Sequence, residues 1–138
     1  LHASYDKYFA RDSAGNLLDL SSLAFPAPKF TANFGTTYTI PVGPGSLKLN
    51  ANVAYLSKVN FRPGPAQDDA SLTQPKYALV DARISYHFDD LGLDFAVFGK
   101  NLTNKRYLNA STNLQSLGLN VGFPGDPRVF GVQARKTF

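Results

Sequence analysis

The sequence predicts an all-β fold: an antiparallel meander of about six strands forming part of a larger transmembrane barrel. Three observations predict it. Apolar and polar residues alternate with a period of two over several stretches. The connections between those stretches alternate between long and short. Charge is sparse, with 17% of residues charged against roughly 25% in soluble domains.

The alternation that organises the chain is the last one, predicted as a strand over 128–138. Phe130, Val132, Ala134, Lys136 and Phe138 fall on one face, and Val129, Gly131, Gln133, Arg135 and Thr137 on the other. From the start of the chain, residues 1–9 are predicted as a strand and 10–28 as a loop. Pro26 and Pro28 at its close remove ladder donors. The strand predicted over 29–40 has the cleanest pattern. Phe30, Ala32, Phe34, Thr36, Tyr38 and Ile40 oppose Thr31, Asn33, Gly35, Thr37 and Thr39. Its polar face is uncharged and small, which suits a wet lumen behind a lipid-facing side. Such a strand is long enough to span a bilayer, which takes about 9–11 tilted residues.

Pro41–Gly45 reads as a turn, and 47–59 as the antiparallel partner strand. A proline-rich loop, 61–76, leads to a strand over 77–88. There Ala78, Val80, Ala82, Ile84, Tyr86 and Phe88 oppose Asp81, Arg83, Ser85 and His87. Asp89–Gly92 is a tight turn. The next strand is predicted over 93–111, with a kink at Asn101–Tyr107; Phe98 interrupts its polar face without a reason legible in the sequence. A Gly-rich loop over 113–126 precedes the final strand. Loops thus run long, short, long, short, long. Outer-membrane barrels have short periplasmic turns and long external loops. About six strands cannot close a membrane barrel, and an open edge in lipid leaves unpaired backbone groups. More strands of the same protein are therefore expected beyond the chain, which begins on Leu1 rather than Met.

Composition narrows the functions. Fourteen basic residues give a net charge of +4 but are spread along the chain, so no nucleic-acid partner is expected. Cysteine is absent, which removes disulfides and thiol chemistry. His2 and His87, the only histidines, have no metal-ligand spacing, and Asp68-Asp69 and Asp89-Asp90 are adjacent pairs in turns. Neighbours on an extended backbone point apart, so neither pair reads as an acid–base couple. Gly122-Phe123-Pro124-Gly125 is a turn and not a phosphate loop. No catalytic residue, metal site or cofactor is expected, and the protein is not read as an enzyme. The polar candidates for a lumen are Asp81, Arg83, His87, Gln133 and Arg135. Tyr55, Phe61, Tyr77 and Tyr107 are expected to form an outer aromatic belt. The residues alone leave two other readings open. One is a small passive outer-membrane barrel or adhesin. The other is a soluble β-sandwich, for example a carbohydrate-binding module, with its apolar faces packed together.

Certain runs carry a family resemblance. They are Tyr77-Ala-Leu-Val-Asp-Ala-Arg-Ile-Ser-Tyr86, Phe95-Ala-Val-Phe-Gly-Lys-Asn-Leu-Thr-Asn-Lys-Arg-Tyr107, and Pro127-Arg-Val-Phe-Gly131 with a terminal Phe138. In order and spacing they resemble the C-terminal end of a TonB-dependent outer-membrane receptor. Asn101–Tyr107 is similar to that family's Asn-Leu-x-Asp/Asn-Lys-x-Tyr signature, and Ala27–Phe30 with Tyr38–Pro41 to a second recurrent stretch. The resemblance implies a 22-stranded barrel closed by an N-terminal plug, with this chain as its last strands and the plug elsewhere. It implies active import of a scarce ligand, a ferric siderophore or similar, across the Gram-negative outer membrane. The partners it implies are outer-membrane lipid, the rest of the barrel with its plug, the TonB complex and the barrel-assembly machinery. Phe130, Val132, Ala134 and Phe138 then stand at the assembly signal, where Lys136 replaces the usual apolar residue.

Overall fold

The computed structural model describes residues 7–11, 14–19, 21, 26–61, 70–114 and 117–137. Its strands, in chain order, are β1 (Phe9–Arg11), β2 (Leu17–Asp19), β3 (Thr31–Pro41), β4 (Gly45–Leu56), β5 (Val59–Asn60), β6 (Thr73–Gln74), β7 (Tyr77–Phe88), β8 (Leu93–Lys100), β9 (Leu108–Leu114), β10 (Leu119–Pro124) and β11 (Val129–Lys136). One 3-10 turn, Ala70–Leu72, precedes β6. No α-helix occurs among the described residues.

Five of these strands form the principal sheet, in the order β11-β8-β7-β4-β3. The connections within it are residues 42–44, 57–76, 89–92 and 101–128. Successive connections of a meander leave from opposite ends, so both short turns leave one end and both long connections the other. β3, β4 and β7 have 11, 12 and 12 residues, enough to cross a bilayer with tilt.

The short-turn end is tightly built. Val42 N donates to Gly45 O at 3.0 Å, and Asp89 N donates to Pro44 O at 3.1 Å. At Gly45 the chain passes so close to the His87 carbonyl that no Cβ would fit. Gly92 takes a φ of 58°, a left-handed conformation that glycine adopts without steric cost, and its carbonyl accepts from Thr137 N at 2.8 Å.

The structure corrects the expected strand over 93–111. β8 stops at Lys100, because Asn101 and Asn104 take left-handed φ values of 50° and 52° that no ladder accommodates. The chain resumes as β9, which pairs with β10 and not with the principal sheet. The expected loop over 113–126 therefore contains a strand. Leu119 lies opposite Leu114, Val121 opposite Thr112 and Phe123 opposite Ala110. The expected loop over 10–28 likewise holds the β1–β2 ribbon, with Phe9 opposite Asp19 and Arg11 opposite Leu17. Residues 1–6 of the first expected strand lie outside the described residues.

Contacts divide the chain into two compact units. Residues 32–55, 78–106 and 126–138 make up the sheet unit. The other unit, 1–31, 56–77 and 107–125, has a small core of Val59, Leu72 and Tyr77 held by polar contacts. Gln74 Oε1 accepts from Leu108 N at 2.7 Å, and Ser111 Oγ lies 2.7 Å from Ser71 O and 3.1 Å from Val121 O. Hydrogen bonds from the hydroxyl and amide of Ser21 hold the Asp19 carboxyl below its ordinary pKa. Tyr77, 8% exposed, stacks on Tyr107 with ring centroids 4.7 Å apart. These two rings therefore pack on each other instead of joining an outward belt.

Within the sheet unit, β8 and β11 interlock across both faces. Phe98 lies opposite Gly131, and Gly99 opposite Phe130. A Cβ on Gly131 would strike the Phe98 ring, and one on Gly99 would crowd the Phe130 ring at 3.0 Å. Each ring occupies the space that its partner's missing side chain leaves, which accounts for an aromatic residue on the polar face. Gly131→Val is expected to destabilise the folded barrel by about 1–3 kcal/mol through overpacking. Phe98→Ala in the same chain should recover part of that loss. The urea midpoint of the folded, heat-modifiable form on gels measures both.

Candidate functional site

The register of β7, β8 and β11 assigns every side chain to one of two faces, because residues directly opposite in an antiparallel pair share a face. One row runs Ala82, Gly99, Phe130; the next Ile84, Val97, Val132; the next Tyr86, Phe95, Ala134. This face is apolar and uncovered. Phe130 is 67% exposed and Val132 82%. On β3, at the other edge of the sheet, Phe34 and Tyr38 are also largely exposed. Toward the short-turn end the rings cluster: Tyr86 and Phe88 meet edge to face at 4.6 Å, and Phe88 meets Phe95 at 6.2 Å. The Tyr86 hydroxyl donates to Val42 O at 2.6 Å. Rings on an apolar band, with one polar tip bonded, match the interface girdle of a membrane barrel.

The opposite face is polar. Its rows run Arg83, Phe98, Gly131; then Ser85, Ala96, Gln133; then His87, Asp94, Arg135. His87 Nδ1 lies 3.0 Å from Asp94 Oδ1, and its Nε2 lies 3.7 Å from Asp89 Oδ1. Asn50 Nδ2 donates to Thr37 Oγ1 at 2.7 Å. A depression of about 570 Å³ opens on this side, lined among others by Asn52, Asp81, Arg83, Phe98, Lys100 and Gln133. Among the sequence-predicted lumen candidates, Arg83, His87, Gln133 and Arg135 thus share one face, and Asp81, two residues before Arg83, lies on it too. Of the expected assembly signal, Phe130, Val132 and Ala134 share the apolar face, while Phe138 lies outside the described residues.

The residue that sequence reasoning missed is Asn101, 3% exposed. Its main-chain N–H donates to Asp81 Oδ1 at 2.8 Å. Its side-chain Nδ2 donates to Lys105 O at 2.8 Å and to Asp126 O at 3.1 Å, and its Oδ1 accepts from Lys105 N at 2.8 Å. Next to it, Leu102 N donates to Val80 O, also at 2.8 Å. One side chain thereby closes the 101–105 turn and fastens the start of the last strand's approach. Asparagine suits the position because it tolerates the left-handed region and carries both an acceptor and two donors. Asp81 is consequently engaged at one oxygen and is not a free carboxylate. The legible signal was the two asparagines flanking Leu102-Thr103, a turn composition inside a supposed strand.

The family described as TonB dependent receptor-like, beta-barrel, matches residues 1–123. The chain belongs to this TonB-dependent receptor β-barrel family. No solved structure matches it. Membership places the chain in the Gram-negative outer membrane, in a family of TonB-dependent transporters and not of enzymes. It also accounts for a sheet with one uncovered apolar face. Receptors of this family work with a plug domain and the TonB system. Among the described residues no group of His, Asp or Glu could hold a metal ion.

Because Asn101 is buried and fully bonded, its truncation leaves donors and acceptors unmet. Asn101→Ala should cost the receptor about 2–4 kcal/mol, summing the lost hydrogen bonds and the strained φ. Asp81→Asn, which keeps an acceptor for the Asn101 N–H, should cost clearly less than Asp81→Ala. Urea unfolding of the detergent-refolded receptor, followed by tryptic protection, distinguishes the two.

Proposed function

We propose that the chain supplies closing strands of a 22-stranded receptor barrel that imports a scarce ligand, a ferric siderophore or similar, with energy delivered through TonB. The observation that carries this is the register-fixed polar face behind an uncovered apolar one. Five strands cannot close around a lumen, so the remaining strands and the plug complete the enclosure. In that enclosure Asp81, Arg83, His87, Gln133 and Arg135 face the lumen. The iron of such a ligand is cargo and not a resident cofactor. Arg83 and Lys100, beside the polar depression, supply positive charge toward an anionic chelate. Phe130, Val132, Ala134 and Phe138 present the assembly signal to the barrel-assembly machinery. The long connections face the outside.

Two measurements test the proposal. Uptake of the radiolabelled iron chelate by cells relying on this receptor should cease when TonB is deleted, while binding to the cell surface persists. Uptake that survives TonB deletion would point to a passive barrel. For orientation, Leu117 and Leu91 are both well exposed, at 68% and 59%, in a long connection and a short turn. Leu117→Cys should react with an impermeant maleimide in intact cells, and Leu91→Cys only after the outer membrane is opened.

A further inference from the structure

β11 is an outer strand of the principal sheet. One of its edges pairs with β8 from Val129 to Lys136, and no described strand lies on the other. A bare edge cannot stand in lipid, where a backbone amide finds no water. The occupant of that edge is therefore another strand. The side chains near the edge show what that strand carries.

One row of the polar face runs through His87, Asp94 and Arg135. The His87 ring stands between two carboxylates, with Nδ1 3.0 Å from Asp94 Oδ1 and Nε2 3.7 Å from Asp89 Oδ1. Arg135 lies directly opposite Asp94 in register, yet it makes no ion pair or hydrogen bond among the described residues. The acid across from it is engaged by the histidine. Arg135 is exposed and belongs to the strand with the open edge. Neighbouring strands lie about 4.8 Å apart, within reach of an arginine side chain, and a planar guanidinium suits both oxygens of a carboxylate.

Register supplies a second argument. On the open side the apolar face of β11 repeats Phe130, Val132 and Ala134 at every second residue. A slip of one residue would exchange the faces, but a slip of two would not. Opposite charges placed across two strands stabilise one register, and like charges oppose another.

We propose that Arg135 forms an ion pair, across the open edge of β11, with a carboxylate on the polar face of the strand that pairs there. The proposal rests on the completion of the barrel by further strands. The row then alternates acid and base from Asp89 through His87, Asp94 and Arg135 to the next strand. Arg135 is a residue of barrel closure, and its partner is neither ligand nor plug.

Zero-length cross-linking of the whole receptor, refolded in detergent, tests the contact. Arg135→Lys keeps the charge and supplies an amine that a carbodiimide joins to a carboxylate in ion-pair contact. Mass spectrometry of tryptic peptides should find position 135 linked to an Asp or Glu of a barrel strand outside residues 1–138. Changing that acid to its amide should abolish the product. A link to Asp94 or to a plug peptide overturns the proposal, as does a folded variant with no link. Phenylglyoxal labelling of the native receptor needs no variant to fold. Arg135 should resist the reagent in the folded state and react once unfolded, and equal rates in both states overturn the ion pair. Uptake that persists without TonB would leave this contact untouched, so failure of the import proposal and failure of this one are distinguishable.

Discussion

A strand has two faces, and a slip of one residue exchanges them. Everything else in the sheet depends on that constraint. With Phe130 opposite Gly99, the side chains of Phe130, Val132 and Ala134 continue the face of Ile84 and Val97. Moved by one position, the same strand would put Gln133 and Arg135 on the lipid-facing side, where an arginine costs about 0–1 kcal/mol near the interface and more with depth. Lipid gives no hydrogen bonds to a backbone, so the ladder must be complete as well as correctly placed. Side-chain chemistry and backbone satisfaction therefore demand the same register.

That demand holds as far as the ladder runs, and Asn101 marks its end on β8. β8 stops one residue before it, and its left-handed φ turns the chain out of the ladder. The amide hydrogen bonds that a further strand residue would have made are replaced by bonds to Asp81, Lys105 and Asp126. The signature stretch Asn101–Tyr107, expected as a kink within a strand, is thus the joint between a regular sheet and irregular connections. The surfaces beyond it can change without disturbing the ladder, because the joint is satisfied by residues close at hand.

The sheet was legible because period two survives wherever one face meets lipid and the other water. The stretches around Ile84 and Val132 show it without help from tertiary structure. The joint was less legible. Apolar alternation up to Phe98 and the aromatic Tyr107 suggested one continuous strand, and only the local preference of Asn101 and Asn104 for left-handed backbone argued otherwise. Leu119, Val121 and Phe123 also alternate, but a Gly-rich, Asn-rich background outweighed three residues. Tyr77 and Tyr107 misled for another reason: aromatic residues near a strand end serve an interface belt or a buried stack equally well, and only the geometry separates them. The candidates Arg83, His87, Gln133 and Arg135 were placed on one face by parity alone. Parity could not show that Asp81 is tied to a backbone amide.

Phe98 brings these threads together. Its ring stands on the face where Arg83 and Gln133 lie, and such an aromatic invites a reading as a stacking surface for ligand. The glycine opposite argues for a prior role. Gly131 leaves a gap in the polar face that exposes backbone, and the ring of Phe98 fills it. On the other face Phe130 does the same for Gly99. A shift of two residues would preserve the faces but set Phe130 against Val97, with Gly131 uncovered and Gly99 left to the Leu102 side chain alone. Parity alone cannot prevent that error, since alternation repeats every two residues. Two rings and two glycines on facing strands break the repeat, and so fix how far along β8 the last strand is set.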